Sequence, residues 1–264
     1  MSDVENSAQP ASTKDRAPEG MAGLAKGLAI VEAFGASHEH LTVASAATIT
    51  GISRASARRC LLTLMDAGYL FRQGSKYRPT PRMLRLGAAY YESASLPQLA
   101  EAHLEAARDK LHESISLAVF EEGYAVFIAR VEAERIVSSL AKLGGRLPAY
   151  ASATGRVLLA AQPAETLNAY LDKINLRKLT PATVVDKAQL LERIERVKQN
   201  GCEITINELE EGMASMAVPV KDNHGNTVAA MSMSASSARI STSQLRRDYL
   251  PILQIHANGL SQSL

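Results

Sequence analysis

Three arginines fall within one short segment of the sequence: Arg54, Arg58 and Arg59. They stand in SRASARRCLLTLMDAG, whose second half is apolar and typical of a helix that packs on a core. The planar guanidinium group binds phosphate or guanine through paired hydrogen bonds. A helix that begins in small polar and basic residues therefore indicates nucleic-acid binding. The alternative is a solvated basic face on a small helical domain.

The segments around these arginines follow the pattern of a winged helix-turn-helix. GLAKGLAIVEAFG has apolar residues near helical spacing and predicts a first helix. Thr42 is a suitable N-cap for a second helix that ends at Gly51, and Ser53 is a suitable N-cap for the third, which ends at Gly68. YLFR and KYRPT are β-prone runs joined by QGS, which predicts a hairpin.

This arrangement predicts which residues contact double-stranded operator DNA. In a helix-turn-helix, the first residues of the second helix meet the base edges in the major groove. The hairpin would face the DNA backbone or the minor groove. The predicted contacts are Thr42, Ser53, Arg54, Ala55, Ser56, Arg58 and Arg59 of the helical part, with Arg72, Lys76 and Arg78 of the hairpin.

The charge of the chain is unevenly distributed. Residues 21–90 contain nine Lys or Arg and three Asp or Glu, a net charge of +6. The 20 residues before them and the long segment after them are each slightly acidic, and the whole chain has a net charge of +2. A basic segment beside a slightly acidic one indicates that the first part binds a polyanion. A merely basic surface is the alternative.

Several classes of protein do not fit this sequence. No apolar run is long enough to span a bilayer, and residues 1–20 have no apolar segment like that of a signal peptide, so we expect a cytoplasmic protein. Cys60 and Cys202 have neither the spacing of metal ligands nor that of a disulfide framework. The histidines are scattered without catalytic partners. We expect no cofactor, no metal and no enzymatic activity.

The C-terminal two thirds predict an α+β domain around an antiparallel sheet. Hairpins are predicted for SISLAVFEEGYAVFIARVE and for the pair MASMAVPVKD and TVAAMSMSA. Further strands are predicted for RIVSSL and CEITINE. Helices are predicted for ATGRVLLAAQ, KAQLLERIERVKQNG and residues 241–264. Pro81 and Pro97 mark the starts of two more helices. The expected divisions are a disordered tail over 1–20, the winged helix-turn-helix over 21–80, a linker helix over 81–96 and the α+β domain over 97–264.

The α+β domain contains a candidate pocket for a small acid. A helix starting at Ala153 and Thr154 would present free backbone N–H groups and the positive end of its dipole to a carboxylate. Ser232 and Ser234 would share one strand face, and Ser215 would add a hydroxyl from the neighbouring hairpin strand. The alternative is that these small residues only allow close packing. Arg130 and Arg146 could each pair with an anionic ligand or form exposed salt bridges.

Six motifs in order resemble the IclR family of transcriptional regulators: LAKGLAIVEAF, GISRASARRCLLTLMDAGYL, YRPTPRMLRLG, PAYASATGRVLLA, ELEEGMASMAVPV and VAAMSMSASSARIS. The SRAxARRCLLTL and PTPRxLRLG forms are similar to the branch that controls the β-ketoadipate pathway and related catabolism of aromatic acids. The resemblance implies a winged-helix domain, a linker helix and a GAF-like effector-binding domain. It also implies a homodimer or a dimer of dimers.

The resemblance also implies effector contacts. These are Ala153, Thr154, Asn207, Met213, Ser215, Ser232 and Ser234. The implied effector is an aromatic acid such as protocatechuate or 4-hydroxybenzoate, or a ring-cleavage product. Ala151 stands where a cysteine is common in this branch, so no single effector transfers directly. Three other functions stay open: a constitutive DNA-binding repressor without an effector, a regulator that responds to another class of small molecule, and a small-molecule enzyme that retains a helix-turn-helix.

Overall fold

The computed structural model of the chain describes residues 20–35, 38–133 and 142–264. The described chain forms two compact units, of which the first ends at Ala89 and the second begins at Tyr90. Both units mix helices with antiparallel strands, which confirms the predicted α+β class. The predicted tail over 1–20, apart from its last residue, and the strand predicted for RIVSSL lie outside the described residues.

The first unit has three helices and a two-stranded hairpin. The elements are α1 Ala22–Glu32, α2 Val43–Thr50, α3 Arg54–Asp66, β1 Leu70–Gln73 and β2 Lys76–Pro79. Their core contains Ile30, Ala57, Leu61 and Tyr77, all buried. Tyr77 also exchanges two backbone hydrogen bonds with Leu41, of 3.0 and 2.7 Å, and these attach the hairpin to the residue before the N-cap of α2. This is the winged helix-turn-helix arrangement that the sequence predicts.

The linker helix expected over 81–96 and the longer helix expected from Pro97 are both present, with different ends. A 3₁₀ turn at Pro81–Met83 leads into α4 Leu84–Ser93, and α5 Ser95–Leu111 follows after one extended residue, Ala94. The longer helix therefore starts two residues before Pro97. The first N–H groups of a helix have no intrahelical partner, so a proline at the third position costs no hydrogen bond.

The second unit is built on a six-stranded antiparallel sheet in the order β5-β4-β3-β8-β7-β6. The strands are β3 Ser114–Glu121, β4 Tyr124–Val131, β5 Arg146–Pro148, β6 Glu203–Ile206, β7 Met213–Lys221 and β8 Thr227–Ser236. The remaining helices are α6 Ala153–Ala160, α7 Ala164–Lys173, α8 Lys187–Asn200, α9 Thr242–Gln244 and α10 Leu250–Ser261.

Three elements of this unit were not predicted as they occur. Helix α7 and strand β5 have no counterpart in the sequence prediction, although Leu167 and Leu171, both buried, have helical spacing. The sequence leaves Thr242 and Ser241 open as the cap of the C-terminal segment, and the cap is Ser241, but the segment is not one regular helix. A wider π-helical turn, Leu245–Tyr249, separates α9 from α10. Pro251 lacks the N–H that would continue regular α-helical bonding there.

The two faces of the sheet have different chemistry. Ile115, Met216, Met231 and Met233 lie on one face and pack in an apolar core with α5 and α10. The opposite face carries a row of polar residues. Because the strands are paired in register, Arg130 lies beside Ser116 and Ser116 beside Ser232, while Ser234 lies beside Ser215 and Ser215 beside Thr205. The start of α6 covers this polar face.

Candidate functional site

Helix α3 presents one basic stripe to solvent. Arg54 and Arg58 are one turn apart, as are Ala55 and Arg59, and all four residues are exposed. Ala57 and Leu61 on the opposite side are fully buried in the core. The packing of α3 therefore fixes the direction in which its arginines point.

The cations of the first unit have no acidic partners among the described residues. Every ion pair found in the described ranges lies in the second unit, between Arg108 and Asp248. Arg54, Arg58 and Arg59 thus carry positive charge that no described carboxylate neutralises. Such a surface attracts a polyanion and releases counterions when it binds one.

Two of the predicted DNA contacts, Thr42 and Ser53, are helix caps, and a third, Ser56, is buried. The Thr42 hydroxyl accepts from the N–H of Ser45 at 3.1 Å, and the Ser45 hydroxyl accepts from the N–H of Thr42 at 2.8 Å. The Ser53 hydroxyl accepts from the N–H of Ser56 at 3.2 Å. Ser56 is only 9% exposed and lies against the core side of α3. Ser53 is exposed and Thr42 is partly buried. Ser56 is buried and therefore does not belong to the exposed basic stripe of α3.

The hairpin, or wing, carries the other predicted contacts. Lys76 is exposed. Arg72 is exposed, and its Nε donates to the carbonyl of Gly74 at 2.6 Å. Gly74 has a φ of 63°, a backbone conformation that favours glycine. Arg78 is partly buried, and its Nε has no hydrogen-bond partner among the described residues. Arg72 and Lys76 therefore lie on the exposed tip of the wing, with Arg78 nearer its base.

The polar face of the large sheet encloses a small cavity. Its wall contains the hydroxyls of Ser116, Ser152, Thr154, Thr205, Ser215, Ser232 and Ser234, with Phe127, Arg130, Leu147, Leu209 and Met213. The Ser215 hydroxyl donates to the carbonyl of Met233 at 3.0 Å. Thr154, Thr205, Ser232 and Ser234 make no side-chain hydrogen bond to any other described residue. Four hydroxyls are thus available to a ligand.

The predicted effector residues fall into two groups. Thr154, Met213, Ser215, Ser232 and Ser234 all line the cavity. Ala153 is fully buried at the start of α6, behind the wall. Asn207 is also outside the wall, and its side-chain oxygen accepts from the N–H of Gly212 at 2.9 Å and from the hydroxyl of Ser237 at 2.8 Å. Its φ of 57° marks the sharp turn that these bonds hold.

The start of α6 is capped from within. The Ser152 hydroxyl accepts from the N–H of Gly155 at 3.1 Å, which leaves the first two N–H groups of the helix without an intrahelical acceptor. The helix lies close to the preceding turn, because a Cβ on Gly155 would overlap the backbone of Ala149. Glycine at this position therefore allows the N-terminus of α6 to reach the polar face of the sheet.

A buried ion network supports the cavity from behind. Arg156, on α6, is fully buried and donates to Glu203 at 2.9 Å and to Glu208. Arg193, on α8, donates to Glu203 at 2.7 Å. Burial lowers the pKa of Arg156, but its bonds to Glu208 and Glu203 outweigh that effect and raise the pKa above its usual value. The two cations and two anions neutralise one another and fix α6 against β6.

The two arginines left open by the sequence have different surroundings. Arg146 is 41% exposed in its side chain, lies over the ring of Tyr124 and pairs with Glu122 at 3.3 Å. The Arg130 side chain is only 5% exposed, lines the cavity and donates to the hydroxyl of Ser116 at 2.9 Å. Arg146 thus forms an exposed salt bridge, while Arg130 belongs to the cavity.

Both units match known protein families. Residues 23–74 match the IclR helix-turn-helix domain, and residues 88–262 match the C-terminal domain of the bacterial transcriptional regulator IclR. The chain belongs to the IclR family of transcriptional regulators. Its first unit is therefore the family's helix-turn-helix DNA-binding domain, and its second is the IclR C-terminal domain. The predicted family is confirmed.

Several relatives of this IclR-family chain are regulators with known names. The chain is 38% identical to the Pca regulon regulatory protein of Pseudomonas putida, over 94% of its own length and 85% of the relative. It is 36% identical to the p-hydroxybenzoate hydroxylase transcriptional activator of Acinetobacter baylyi, over 96% of each chain. An IclR homologue from Microbacterium hydrocarbonoxydans, crystallised with 4-hydroxybenzoate, is 25% identical with a TM-score of 0.77 and covers 91% of this chain and 98% of that one.

Among the described residues of this IclR-family chain, no group of three His, Cys, Asp or Glu side chains could hold a metal ion. None of the described helices is both long and apolar enough to cross a membrane.

Some cavity residues were missing from the sequence prediction. Ser116 and Thr205 line the cavity, together with Ser152 and Phe127. The alternating serines of SISLAV could have indicated Ser116. Thr205 becomes a neighbour of Ser215 only through the pairing of β6 with β7, which no local pattern specifies.

Proposed function

We propose that this regulator responds to a small aromatic acid bound in the cavity of its second unit. The proposal rests on the cavity wall, on which four unpaired hydroxyls and the buried cation Arg130 converge beside apolar side chains such as Phe127 and Leu209. Polar groups that converge in an otherwise apolar pocket are typical of a site that orients a small organic molecule. The hydroxyls and the cation suit a carboxylate, and the apolar wall suits a ring.

The names of the relatives support the aromatic class. One relative is named as a transcriptional activator of p-hydroxybenzoate hydroxylase, and one solved relative holds 4-hydroxybenzoate. We infer that this chain takes a ligand of the same chemical class and regulates genes for the catabolism of such acids. A protein that senses a ligand for transcription needs no turnover, and we propose that this chain is not an enzyme.

The cavity must open to admit a ring. It encloses about 20 Å³, which is room for about one water molecule. Met213 and Leu209 form part of its wall, and a methionine side chain adapts easily to a changed shape. A ligand shifts the protein towards the open arrangement only as far as it binds that arrangement better. We propose that this opening is the change that effector binding produces.

The proposed DNA contacts are the exposed members of the predicted set, together with the partly buried Arg78 nearer the base of the wing. On α3 they are Arg54, Ala55, Arg58 and Arg59, with Ser53 at its start, and on the wing they are Arg72, Lys76 and Arg78. The exposed arginines of α3 have no described acidic partner. We therefore propose that Arg58 and Arg59 bind phosphates or base edges of the operator.

We also propose that the chain acts as a homodimer or a dimer of dimers in the cytoplasm. Leu24 on α1 is 61% exposed and Leu84 on α4 is 75% exposed. None of the apolar residues of α4 is buried. Apolar surface of this kind is typical of a region covered by a partner subunit.

The effector proposal is tested by titration calorimetry of the purified protein with a panel of hydroxybenzoates, dihydroxybenzoates and aliphatic dicarboxylates. We expect one or more aromatic acids to bind, with a negative heat-capacity change because ring and cavity wall are both removed from water. Binding of no aromatic acid would contradict the proposed effector class. It would favour the second candidate, a constitutive DNA-binding protein, which the small size of the cavity also suits.

A further inference from the structure

Among the described residues that line the cavity, Arg130 carries the one cationic group. Its Nη1 donates to Ser116 at 2.9 Å and its Nε to Glu132 at 3.2 Å, and Nη2 has no partner within the described ranges. The Glu132 side chain is 55% exposed, whereas that of Arg130 is 5% exposed. Among the described residues, this buried positive charge is therefore balanced only by a carboxylate that water already solvates.

The neighbouring charges do not change this balance. Glu203 shares the polar face of the sheet but is committed to Arg156 and Arg193. That network contains two cations and two anions that are paired with one another. A buried cation with an incomplete partner gains more from a second anion than a solvated one does, because the surroundings screen the attraction less.

A bulge in β4 directs Arg130 into the cavity. The pairing of β3 with β4 shifts between Leu117 and Ala118, so Ala129 is paired with Leu117 but Phe127 with Ala118. Ile128 is the extra residue. Phe127 and Arg130 consequently face the same side although they are an odd number of residues apart. The bulge thus brings an aromatic surface and a guanidinium group to one wall.

We propose that Arg130 binds the carboxylate of the effector and makes the site selective for acids over their neutral analogues. This inference rests on the proposed aromatic-acid function. The carboxylate would contact the terminal nitrogens of Arg130, in paired geometry that arginine favours. The guanidinium donates to Ser116 on β3, so Ser232, the partner of Ser116 on β8, is about one strand spacing away, roughly 5 Å. Ser234 is two residues further along β8, at a diagonal distance of roughly 7–8 Å. The ring would extend from Arg130 towards those hydroxyls.

The experiment compares the best-binding aromatic acid with its carboxamide, by titration calorimetry, on the wild type, R130Q and R146Q. We expect the wild type to prefer the acid over the amide by about 10- to 100-fold, the range for a hydrogen-bonded charge. R130Q should lose most of that preference and bind the amide about as well as the wild type does. R146Q removes an arginine from the same sheet, but from an exposed salt bridge, and should keep the wild-type preference.

The outcomes separate this inference from the proposed function. A wild type that binds no aromatic acid overturns the proposed function and this inference with it. A wild type that binds the acid, with R130Q keeping the preference for acid over amide, overturns the inference and leaves the proposed function standing. Loss of the preference in R146Q as well would assign the effect to general charge and also overturn the inference.

A second variant tests the inference with Arg130 in place, so the result does not depend on whether R130Q folds. E132Q changes an exposed side chain and deletes the negative charge that partly balances Arg130. We expect acid binding to tighten about two- to fivefold, which is less than 1 kcal/mol, while amide binding stays the same. Weaker or unchanged acid binding in E132Q would contradict a carboxylate seated on Arg130.

Discussion

At the residue scale, the chemistry depends on a few side chains whose direction is set by packing. The exposed arginines of α3 point outward because Ala57 and Leu61 are buried on the opposite side. The serines of β8 point into the cavity because Met231 and Met233 fill the apolar core on the other face. The exposed arginines of α3 can therefore contact a large polyanion. The serines of β8 face a cavity that suits a small molecule.

The DNA-binding proposal predicts the effect of R58A/R59A. The double variant should bind operator DNA more weakly, and the slope of log affinity against log salt should flatten by about 0.9 for each phosphate that the variant no longer neutralises. Fluorescence anisotropy at several salt concentrations measures both. R196A, which removes an exposed arginine from α8, is the matched control and should behave like the wild type. An unchanged slope in the folded double variant would remove α3 as the recognition helix.

The cavity hydroxyls can be tested separately. S232V/S234V removes two hydroxyls that have no partner among the described side chains, while keeping the size of each side chain nearly the same. We expect calorimetry to show weakened effector binding, by about tenfold or more, and anisotropy to show unchanged DNA binding without ligand. S263V changes an exposed serine near the C-terminus and serves as control. Full effector binding by S232V/S234V would place the ligand elsewhere.

At the element scale, the sequence specifies ends of elements better than it specifies pairing. The caps Thr42 and Ser53 and the left-handed glycines Gly51 and Gly201 occur where local chemistry predicts them, and Ser241 is one of the two caps expected for the last helix. These signals work because capping hydrogen bonds join residues close in sequence. The bulge at Ile128 depends on how two strands pair, so the direction of Arg130 could not be predicted.

Helix α6 also depends on contacts that sequence patterns do not contain. The resemblance and the helix dipole both indicate Thr154, but the close approach of Gly155 to Ala149 appears only in the fold. G155A should lower the free energy of unfolding by about 1–3 kcal/mol, since backbone must move to admit the methyl group. Chemical denaturation measures this change.

Gly87 provides the control for that prediction. It also lies within a helix, α4, but a Cβ there would meet no atom within 4 Å. G87A should leave stability unchanged or raise it by up to about 1 kcal/mol through better helix propensity. Equal effects of G155A and G87A would contradict a tight contact at α6.

At the scale of the whole molecule, the two units differ in their net charge and in whether they contain an enclosed cavity. The first carries the excess of positive charge, with no ion pair among its described residues. The second carries the ion pairs and the enclosed cavity. The charge asymmetry visible in the sequence therefore corresponds to two compact units rather than to a uniformly basic surface.

The dimer proposal predicts self-association. The wild type should sediment as a dimer or larger species at micromolar concentration, and L24E/L28E should shift towards monomer, because it places charge on the exposed apolar side of α1. L191E, a change at an exposed leucine of α8, is the control. Analytical ultracentrifugation measures all three, and a monomeric wild type would contradict the proposal.

The most direct test of the central claim is fluorescence anisotropy of the purified protein on DNA from upstream of its own gene, at fixed salt. The titration is made with and without the aromatic acid that binds best. We predict a complex that is specific relative to scrambled DNA of the same length, with an affinity that the acid changes. Equal binding to both DNAs, unaffected by the acid, would contradict a ligand-responsive reader of operator sequence.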